Sequence, residues 1–377
     1  MRPAAAEITW QQALAWRMRR HLLDPVGRVS LADVVGRLCG VQAQVASSAE
    51  LAIRVRREAS RRGEVERALR EGRLIKTWAM RGTLHLLTPE EAGTFLALMA
   101  SGRSWERPSW QRYFGVTPKQ IDALHRAVRA ALEAGPLTRD ELVTAVSAKR
   151  GLRHVGEALR SGWGTLLKPL AWHGDLCHGP SRGTRVTFMR PEDASARWRA
   201  VPDPDEAAPA AMAAYLRAYG PATAEAFGNW LAGGYFGKRQ LRAWFGALEA
   251  RLAEVDVDGE RAYVLAEDLE ELISMSPTQA LRLLPGFDQY VLGPGTGDGR
   301  VVPAARRTAV SRQAGWISPV VVVGGVVRGT WELDGDRLRV GWFREAGRPP
   351  RAALRAEVAR MSSILDRKLR PEVTIAT

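Results

Sequence analysis

Two glutamines two residues apart, Gln42 and Gln44, have the type and spacing in this sequence that best suit chemistry. Each amide offers hydrogen-bond donors and acceptors, so two amides can orient one water molecule. Side chains two residues apart point the same way only on an extended backbone, because on a helix they diverge by about 200°. Gly40 predicts the end of one helix, and the capping box from Ser47 to Glu50 predicts a new helix from about residue 48, so we expect an extended connector. The alternative is that both amides only satisfy backbone groups of a loop.

Other chemical motifs give weaker signals. The sequence contains no HExxH, GxSxG or P-loop pattern. The glycine-rich stretch 293–299 lacks the Lys-Ser/Thr pair and the following helix of a phosphate cradle, so it predicts a flexible hairpin tip. One group of metal-ligating residue types lies at a predicted turn: His173, Asp175, Cys177 and His178. No second ligand group lies nearby in sequence, so we expect an ordinary hairpin there, no metal and no cofactor.

The overall charge favours an anionic partner. The 377 residues include 55 basic and 41 acidic side chains, a formal net charge of +14. Lysine occurs only six times, so a general bias toward arginine is the alternative explanation of the basic residues. The hydrophobic fraction of 46% is typical of a globular chain and excludes a disordered or disulfide-based scaffold.

Targeting signals also bear on the class of protein. No apolar run reaches the length of about 20 residues that a membrane-spanning helix needs. The first 20 residues lack the apolar core and cleavage site of a signal peptide. Cys39 and Cys177 are isolated from each other, which fits a reducing compartment. We therefore expect a cytoplasmic protein that does not associate with membranes.

A pattern of three helices followed by two strands occurs three times along the chain. This order is typical of a winged helix. The predicted strand pairs enclose turns at Arg81-Gly82, at 179–183 and at Asp258-Gly259, and the last of these is a strong hairpin signal. Within the second copy, residues 156–172 are predicted to form one helix.

The last hundred residues differ from this pattern. Strand-like stretches cover 283–292, 320–327, 329–333 and 337–343, and 350–369 predicts a terminal helix. We therefore predict an α+β fold with three tandem winged-helix motifs, a C-terminal β-barrel-like sheet and a terminal helix. The predicted domains are winged helix 1 at 1–115, winged helix 2 at 116–200, winged helix 3 at 201–275 and the barrel-like region at 276–377.

Basic residues near these features are candidate contacts to nucleic-acid phosphates. Three follow the glutamine pair on one predicted helix, and two lie on the first predicted wing: Arg54, Arg56, Arg57, Lys76 and Arg81. Four more lie in a predicted basic hairpin at 300–312 that could enter a groove of the duplex: Arg300, Arg306, Arg307 and Arg312. The alternative for each of them is a solvated surface residue.

Four stretches of the sequence together resemble the winged-helix DNA glycosylase family typified by AlkZ. They are Leu-Cys-Gly-Val-Gln-Ala-Gln at 38–44, Thr-Trp-Ala-Met-Arg-Gly-Thr-Leu-His-Leu at 77–86, Leu-Pro-Gly-Phe-Asp-Gln-Tyr-Val-Leu-Gly at 284–293 and Val-Arg-Gly-Thr-Trp at 327–331. The resemblance spans nearly the whole chain, and the combination is specific to the superfamily. It implies three tandem winged helices and a β-barrel in a C-shaped body that holds DNA.

The resemblance also implies a catalytic Gln-x-Gln motif, which maps onto Gln42 and Gln44. A sister branch carries Gln-x-Asp and uses the carboxylate to activate water. This chain has Gln44 at that position, so a strong general base is missing and the substrate range is expected to be narrower. An N7-alkylated purine is already cationic and leaves without a general acid, which suits two amides that only hold and polarise water.

The implied activity is hydrolysis of the N-glycosidic bond of N7-alkylated purines and the unhooking of interstrand crosslinks in double-stranded DNA. No lysine is placed by a motif as an imine-forming nucleophile, so we expect a monofunctional enzyme that leaves an abasic site. The expected role is DNA repair and self-resistance to a genotoxic natural product such as azinomycin B. Tandem winged helices in one chain remove the usual need to dimerise, so we expect a monomer.

Two other classes of protein remain open from the sequence. A non-enzymatic winged-helix transcriptional regulator would read a DNA sequence through a recognition helix. A structural binder would recognise damaged DNA without catalysis. The Gln-x-Gln motif and the large C-terminal sheet favour the enzyme.

Overall fold

The structure is a computed structural model that describes residues 5–161 and 164–376. It has a mixed α+β fold, as predicted. The chain forms two compact units. The first contains Met1–Glu64, Met212–Trp230 and Leu241–Thr377, and the second contains Val65–Ala211 and Leu231–Gln240. Neither unit is one continuous stretch of chain.

Eighteen α-helices lie in the part of the chain that the structure describes. The first nine are α1 Trp10–Arg20, α2 Leu31–Arg37, α3 Ala46–Arg54, α4 Glu64–Arg70, α5 Pro89–Ser101, α6 Pro108–Phe114, α7 Pro118–Ala131, α8 Arg139–Ser147 and α9 Gly156–Arg160. The others are α10 Leu167–Trp172, α11 Pro191–Ala194, α12 Pro204–Tyr219, α13 Ala224–Ala232, α14 Lys238–Gly246, α15 Leu269–Ile273, α16 Gln289–Leu292, α17 Arg307–Val310 and α18 Arg351–Leu365. None of these helices is long and apolar enough to cross a bilayer.

Fourteen strands accompany these helices within the same described residues. They are β1 Ala6–Ile8, β2 Val41–Gln42, β3 Ile75–Trp78, β4 Leu84–Leu87, β5 Leu137–Thr138, β6 Cys177–Arg182, β7 Arg185–Met189, β8 Leu252–Val257, β9 Glu260–Leu265, β10 Leu281–Leu284, β11 Val320–Val323, β12 Val326–Asp334, β13 Arg337–Phe343 and β14 Arg370–Ala376.

The first unit contains two sheets. Strand β1 pairs in parallel with β8, which pairs antiparallel with β9 across the predicted Asp258-Gly259 turn. The larger sheet has the order β10-β11-β12-β13-β14. Its strand β11 is four consecutive valines, three of them fully buried, as expected for a β-branched run covered on both faces. Leu14 and Met18 of α1 and Val358 of α18 lie in the same core cluster as these valines.

The prediction of a β-barrel-like C-terminal sheet is wrong, because the five strands form an open sheet with β10 and β14 at its edges. Helix α18 packs against β10. A carboxylate oxygen of Glu357 in α18 accepts a hydrogen bond of 3.0 Å from the backbone nitrogen of Leu283. A buried backbone donor of the edge strand β10 is therefore bonded to a side chain of helix α18, and not to another strand.

Within the second unit, five strands form an antiparallel sheet in the order β4-β3-β6-β7-β5. Helices α7, α8 and α9 pack together beside it. The three predicted hairpins, β3–β4, β6–β7 and β8–β9, are all present. Their assignment to three winged helices and the four domain boundaries stay predictions.

Three local predictions differ from the structure. The helix predicted at 156–172 is two helices, α9 and α10, and residues 162–163 lie outside the described part. The strand predicted at 283–292 ends at Leu284, because the Asp288 side chain accepts from the backbone nitrogen of Tyr290 and caps α16. The basic hairpin predicted at 300–312 is wrong: Pro303 lacks a backbone donor for a strand ladder and precedes a 3₁₀ turn at Ala304–Arg306 and helix α17.

Candidate active site

The backbone before the glutamine pair is set by the end of α2. Ser30 and Asp33 form a capping box at the start of this helix, with bonds of 3.1 and 2.9 Å between side chains and backbone nitrogens. After the helix, Cys39 and Gly40 have φ values of +55° and +101°. Residues with positive φ stop a helix, and glycine adopts this conformation without strain. The chain can then continue in an extended form.

The glutamine pair follows directly. Gln42 lies in the extended strand β2 and is only 7% exposed, whereas Gln44 lies in the bend before α3 and is exposed. The predicted extended connector is therefore confirmed at Gln42. The predicted capping box of α3 is wrong, because the helix begins at Ala46 and its N-cap residue, Val45, makes no side-chain bond. The Glu50 carboxylate instead accepts from the backbone nitrogen of Gly63.

A groove of about 430 Å³ lies beside α3 in the first unit. Its lining begins at Ser47, three residues after Gln44, and we call it the α3 groove. The lining residues are Ser47, Ser48, Glu50, Leu51, Arg54, Arg62, Pro285, Gly286, Pro319, Trp331, Leu365 and Arg367. Three arginines against one carboxylate make this surface cationic, which suits a phosphate backbone.

The three arginines predicted on the helix after the glutamines have different environments. Arg54 lines the α3 groove, although its guanidinium also donates to the backbone oxygen of Ile364. Arg57 is mostly buried, pairs with Glu64 and donates to the backbone oxygen of Val29.

Arg56 is completely buried and forms two hydrogen bonds of 2.6 and 2.7 Å to the Asp288 carboxylate. This bidentate geometry ties the end of α3 to the segment that caps α16. A guanidinium with no exposed surface cannot reach a phosphate, so the structure argues against Arg56 as a DNA contact.

Lys76 and Arg81 belong to the second unit. Lys76 lies in the middle of strand β3, where burial lowers the pKa of its ammonium group. Arg81 has a φ of +54° in the turn between β3 and β4. Burial, and secondarily the Arg81 charge, lower the pKa of His85 to about 3, so this fully buried imidazole is neutral. The Arg81 side chain lines a separate cavity of the second unit.

The arginines at 300–312 fall into two groups. Arg300 pairs with Glu260 and with Asp298. Arg306 makes a bidentate contact of 2.6 and 2.8 Å with Glu345, and this hydrogen bonding lowers the pKa of the glutamate to about 2.

Arg307 and Arg312 are exposed, and neither forms an ion pair among the residues that the structure describes. They are therefore the members of this group best placed to meet an external anion.

The four residues considered as a metal site make other contacts. His173 bonds through Nδ1 to the backbone oxygen of Pro169 at 2.8 Å, and Asp175 pairs with His125. Cys177 is buried, which raises the pKa of its thiol. His178 packs against the rings of Trp78 and Phe188, at centroid distances of 5.0 and 5.1 Å. In residues 5–161 and 164–376, no group of three or more His, Cys, Asp or Glu is arranged to hold a metal ion.

Sequence reasoning missed two arginines of the α3 groove, Arg62 and Arg367. Both are exposed and without an ion pair within the described part of the chain. No motif marks them, and Arg367 lies more than 300 residues from the glutamine pair in the sequence. The arginine-rich flank of α3 at Arg61 and Arg62 could have indicated Arg62, whereas no local signal indicates Arg367.

A glutamine pair followed along the chain by a cationic groove is compatible with an enzyme that acts on DNA. The chain belongs to the AlkZ-like DNA glycosylase family, whose model matches residues 35–364. The prediction of a DNA glycosylase is therefore confirmed over a non-enzymatic regulator or binder. The chain is 52% identical over 357 residues to the interstrand DNA cross-link repair glycosylase of Streptomyces sahachiroi, covering 94% of this chain and 96% of that protein. The solved structure of the Streptomyces sahachiroi DNA glycosylase AlkZ matches with a TM-score of 0.95 at 50% identity, over 98% of this chain and 100% of that one.

Proposed function

We propose that this glycosylase hydrolyses the N-glycosidic bond of N7-alkylated purines and unhooks interstrand crosslinks built on them. The observation that carries this proposal is that the Gln42–Gln44 segment leads directly into α3, whose residues from Ser47 to Arg54 line a cationic groove. The relative from Streptomyces sahachiroi is named for crosslink repair, which supports the same substrate class here.

The reaction requires little acid–base chemistry. The oxygen of water forms a bond to C1′ of the sugar while the bond from C1′ to N9 of the purine breaks. The electron pair of that bond neutralises the cationic base, and the water proton passes to solvent. The product strand contains an abasic site, and a crosslinked partner strand keeps the released base.

The two amides have different tasks in this scheme. Gln42 is buried in a strand, so its side chain is held in place and provides a fixed orientation. Gln44 is exposed at the bend and meets the incoming strand and its water. Oriented dipoles of this kind stabilise the developing oxocarbenium charge and position the nucleophile. We propose that the protein acts in DNA repair and in self-resistance to a genotoxic alkylating natural product, as a monomer.

Incubation with two substrates tests the activity. One is a duplex that contains N7-methylguanine, and the other is a duplex with an interstrand crosslink through purine N7. We expect release of methylguanine from the first, separation of the strands of the second, and an abasic site in both. The undamaged duplex of the same sequence is the control. Damage-selective binding without base release would contradict the proposal, and trapping of a covalent adduct by borohydride would contradict the water nucleophile.

The salt dependence of DNA binding tests whether the exposed arginines contact DNA phosphates. Arg307→Gln combined with Arg312→Gln should lower the slope of log K against log salt by about 1 to 2, because each phosphate contact contributes about 0.9. The measurement is a fluorescence-anisotropy titration of a short duplex at several salt concentrations. Arg306→Gln is the matched control, since Glu345 already neutralises that guanidinium. Equal slopes for all three proteins would show that these exposed arginines do not contact DNA.

A further inference from the structure

A second cavity lies wholly within the second unit, whereas Gln42 and Gln44 belong to the first. Its volume is about 360 Å³, which is enough for a small ring system. Three aromatic side chains contribute to its wall: Trp172, Tyr235 and Phe236. We call it the Tyr235 cavity.

The aromatic wall is held in place by specific contacts. The Tyr235 hydroxyl donates to the backbone oxygen of Gly102 at 2.8 Å, and the guanidinium carbon of Arg107 lies 4.0 Å from the centre of the tyrosine ring. The Phe236 ring stands at 88° to that of Tyr235, with centroids 5.9 Å apart. Two rings at right angles present one flat face and one edge, and a planar ligand can stack on the face.

In the part of the chain that the structure describes, the charged side chains that line the cavity are those of Arg81 and Lys168, and no carboxylate lines it. Among the described residues Lys168 forms no ion pair, and partial burial lowers the pKa of its ammonium group. The Lys168 ammonium lies 3.5 Å from the point where a Cβ on Gly82 would stand. An anion bound there would provide the missing counter-charge.

Trp172 is 8% exposed and contributes apolar ring surface to the same cavity. Aromatic faces beside two cations suit a planar heterocycle attached to an anionic group.

We propose that the Tyr235 cavity binds one unpaired nucleotide, with its base against the aromatic wall and its phosphate at Arg81 and Lys168. Because the protein is a DNA glycosylase, the expected source is a nucleotide of a DNA strand, and a free nucleotide has the same chemistry. Stacking on aromatic side chains is the usual way in which proteins hold unpaired bases, and it needs no particular sequence. Neither Gln42 nor Gln44 lines this cavity, so the nucleotide we place there is not the one whose base is released.

Quenching of 2-aminopurine fluorescence tests this proposal without any lesion or turnover, so its outcome is independent of the proposed chemistry. We expect saturable quenching of a single strand that contains 2-aminopurine and much weaker quenching of the fully paired duplex. Of the free compounds, the 2-aminopurine deoxynucleoside monophosphate should bind about tenfold more tightly than the nucleoside, because only the former has the phosphate.

Two variants probe the two halves of the ligand. Lys168→Gln should weaken binding of the monophosphate about tenfold and leave the nucleoside unaffected. Phe236→Leu keeps an apolar side chain but removes a ring, and it should weaken both by about tenfold. Lys119→Gln is the matched control, because Lys119 is an exposed lysine of α7 outside the cavity.

The outcomes separate the possibilities. Equal quenching of single strand and duplex, or equal affinity for the nucleoside and the monophosphate, would overturn the proposal. So would the same effect from Lys168→Gln and Lys119→Gln. Binding of the monophosphate without binding of the strand would support a nucleotide site and exclude DNA as its source.

Discussion

Replacing Gln44 by alanine should slow base release about 10²- to 10³-fold under single-turnover conditions, with little change in DNA affinity. A rate loss of this size is usual when one oriented dipole is removed from a preorganised site. Gln42→Ala should have an effect of similar size, because in the proposed mechanism the buried amide holds the same water. The measurement is the release of N7-methylguanine from a duplex, with enzyme in excess over substrate.

Controls separate this effect from general damage to the protein. Gln240→Ala removes an exposed glutamine of α14 and should release base at the normal rate. Circular dichroism and the midpoint of thermal unfolding should be unchanged for Gln44→Ala, whose side chain is exposed. Near-normal rates for both glutamine variants would remove the Gln-x-Gln pair from the mechanism.

Replacing Asp288 by alanine should lower the free energy of unfolding by about 3–5 kcal/mol. The substitution leaves the guanidinium of Arg56 buried and without its counter-charge, which is the costly way to break an internal ion pair. It also removes the acceptor that caps α16 at the backbone nitrogen of Tyr290. Urea denaturation followed by intrinsic tryptophan fluorescence gives the difference directly.

An exposed pair of the same type provides the comparison. Arg28 and Glu58 form an ion pair at 2.6 Å, with side chains 85% and 47% exposed. Glu58→Ala should therefore cost no more than about 1 kcal/mol. The double variant Arg56→Met with Asp288→Leu should recover much of the loss, because it removes both buried charges together. A cost for Asp288→Ala as small as that for Glu58→Ala would refute this role.

The sequence predicts the features that depend on neighbouring residues. The predicted Asp258-Gly259 turn forms, with φ values of +51° and +85° at its two central residues. The extended backbone at Gln42 follows from the glycine two positions earlier. In each case the residues that determine the conformation lie within a few positions of it.

The features that sequence reasoning missed depend on partners far along the chain. The ion pair of Arg56 with Asp288 joins residues 232 positions apart, and no local pattern distinguishes Arg56 from the neighbouring Arg54 and Arg57. The bond from the Leu283 backbone to Glu357 spans 74 positions and connects the edge strand β10 to helix α18. Arg367 likewise reaches the α3 groove only through the folded chain. Such pairings require the tertiary structure, which periodicity and turn signals do not encode.

The first unit is built from segments that are far apart in the sequence, and this affects when its core can form during translation. Leu14 and Met18 of α1 share a core with Val358 and Leu369, which the ribosome adds more than 300 residues later. At the usual rates of translation, α1 is therefore synthesised on the order of tens of seconds before these partners. The long segment 65–211 of the second unit is synthesised in that interval. A nascent chain that has not reached Val358 contains Gln42 and Gln44 but lacks part of the core against which Val45 packs.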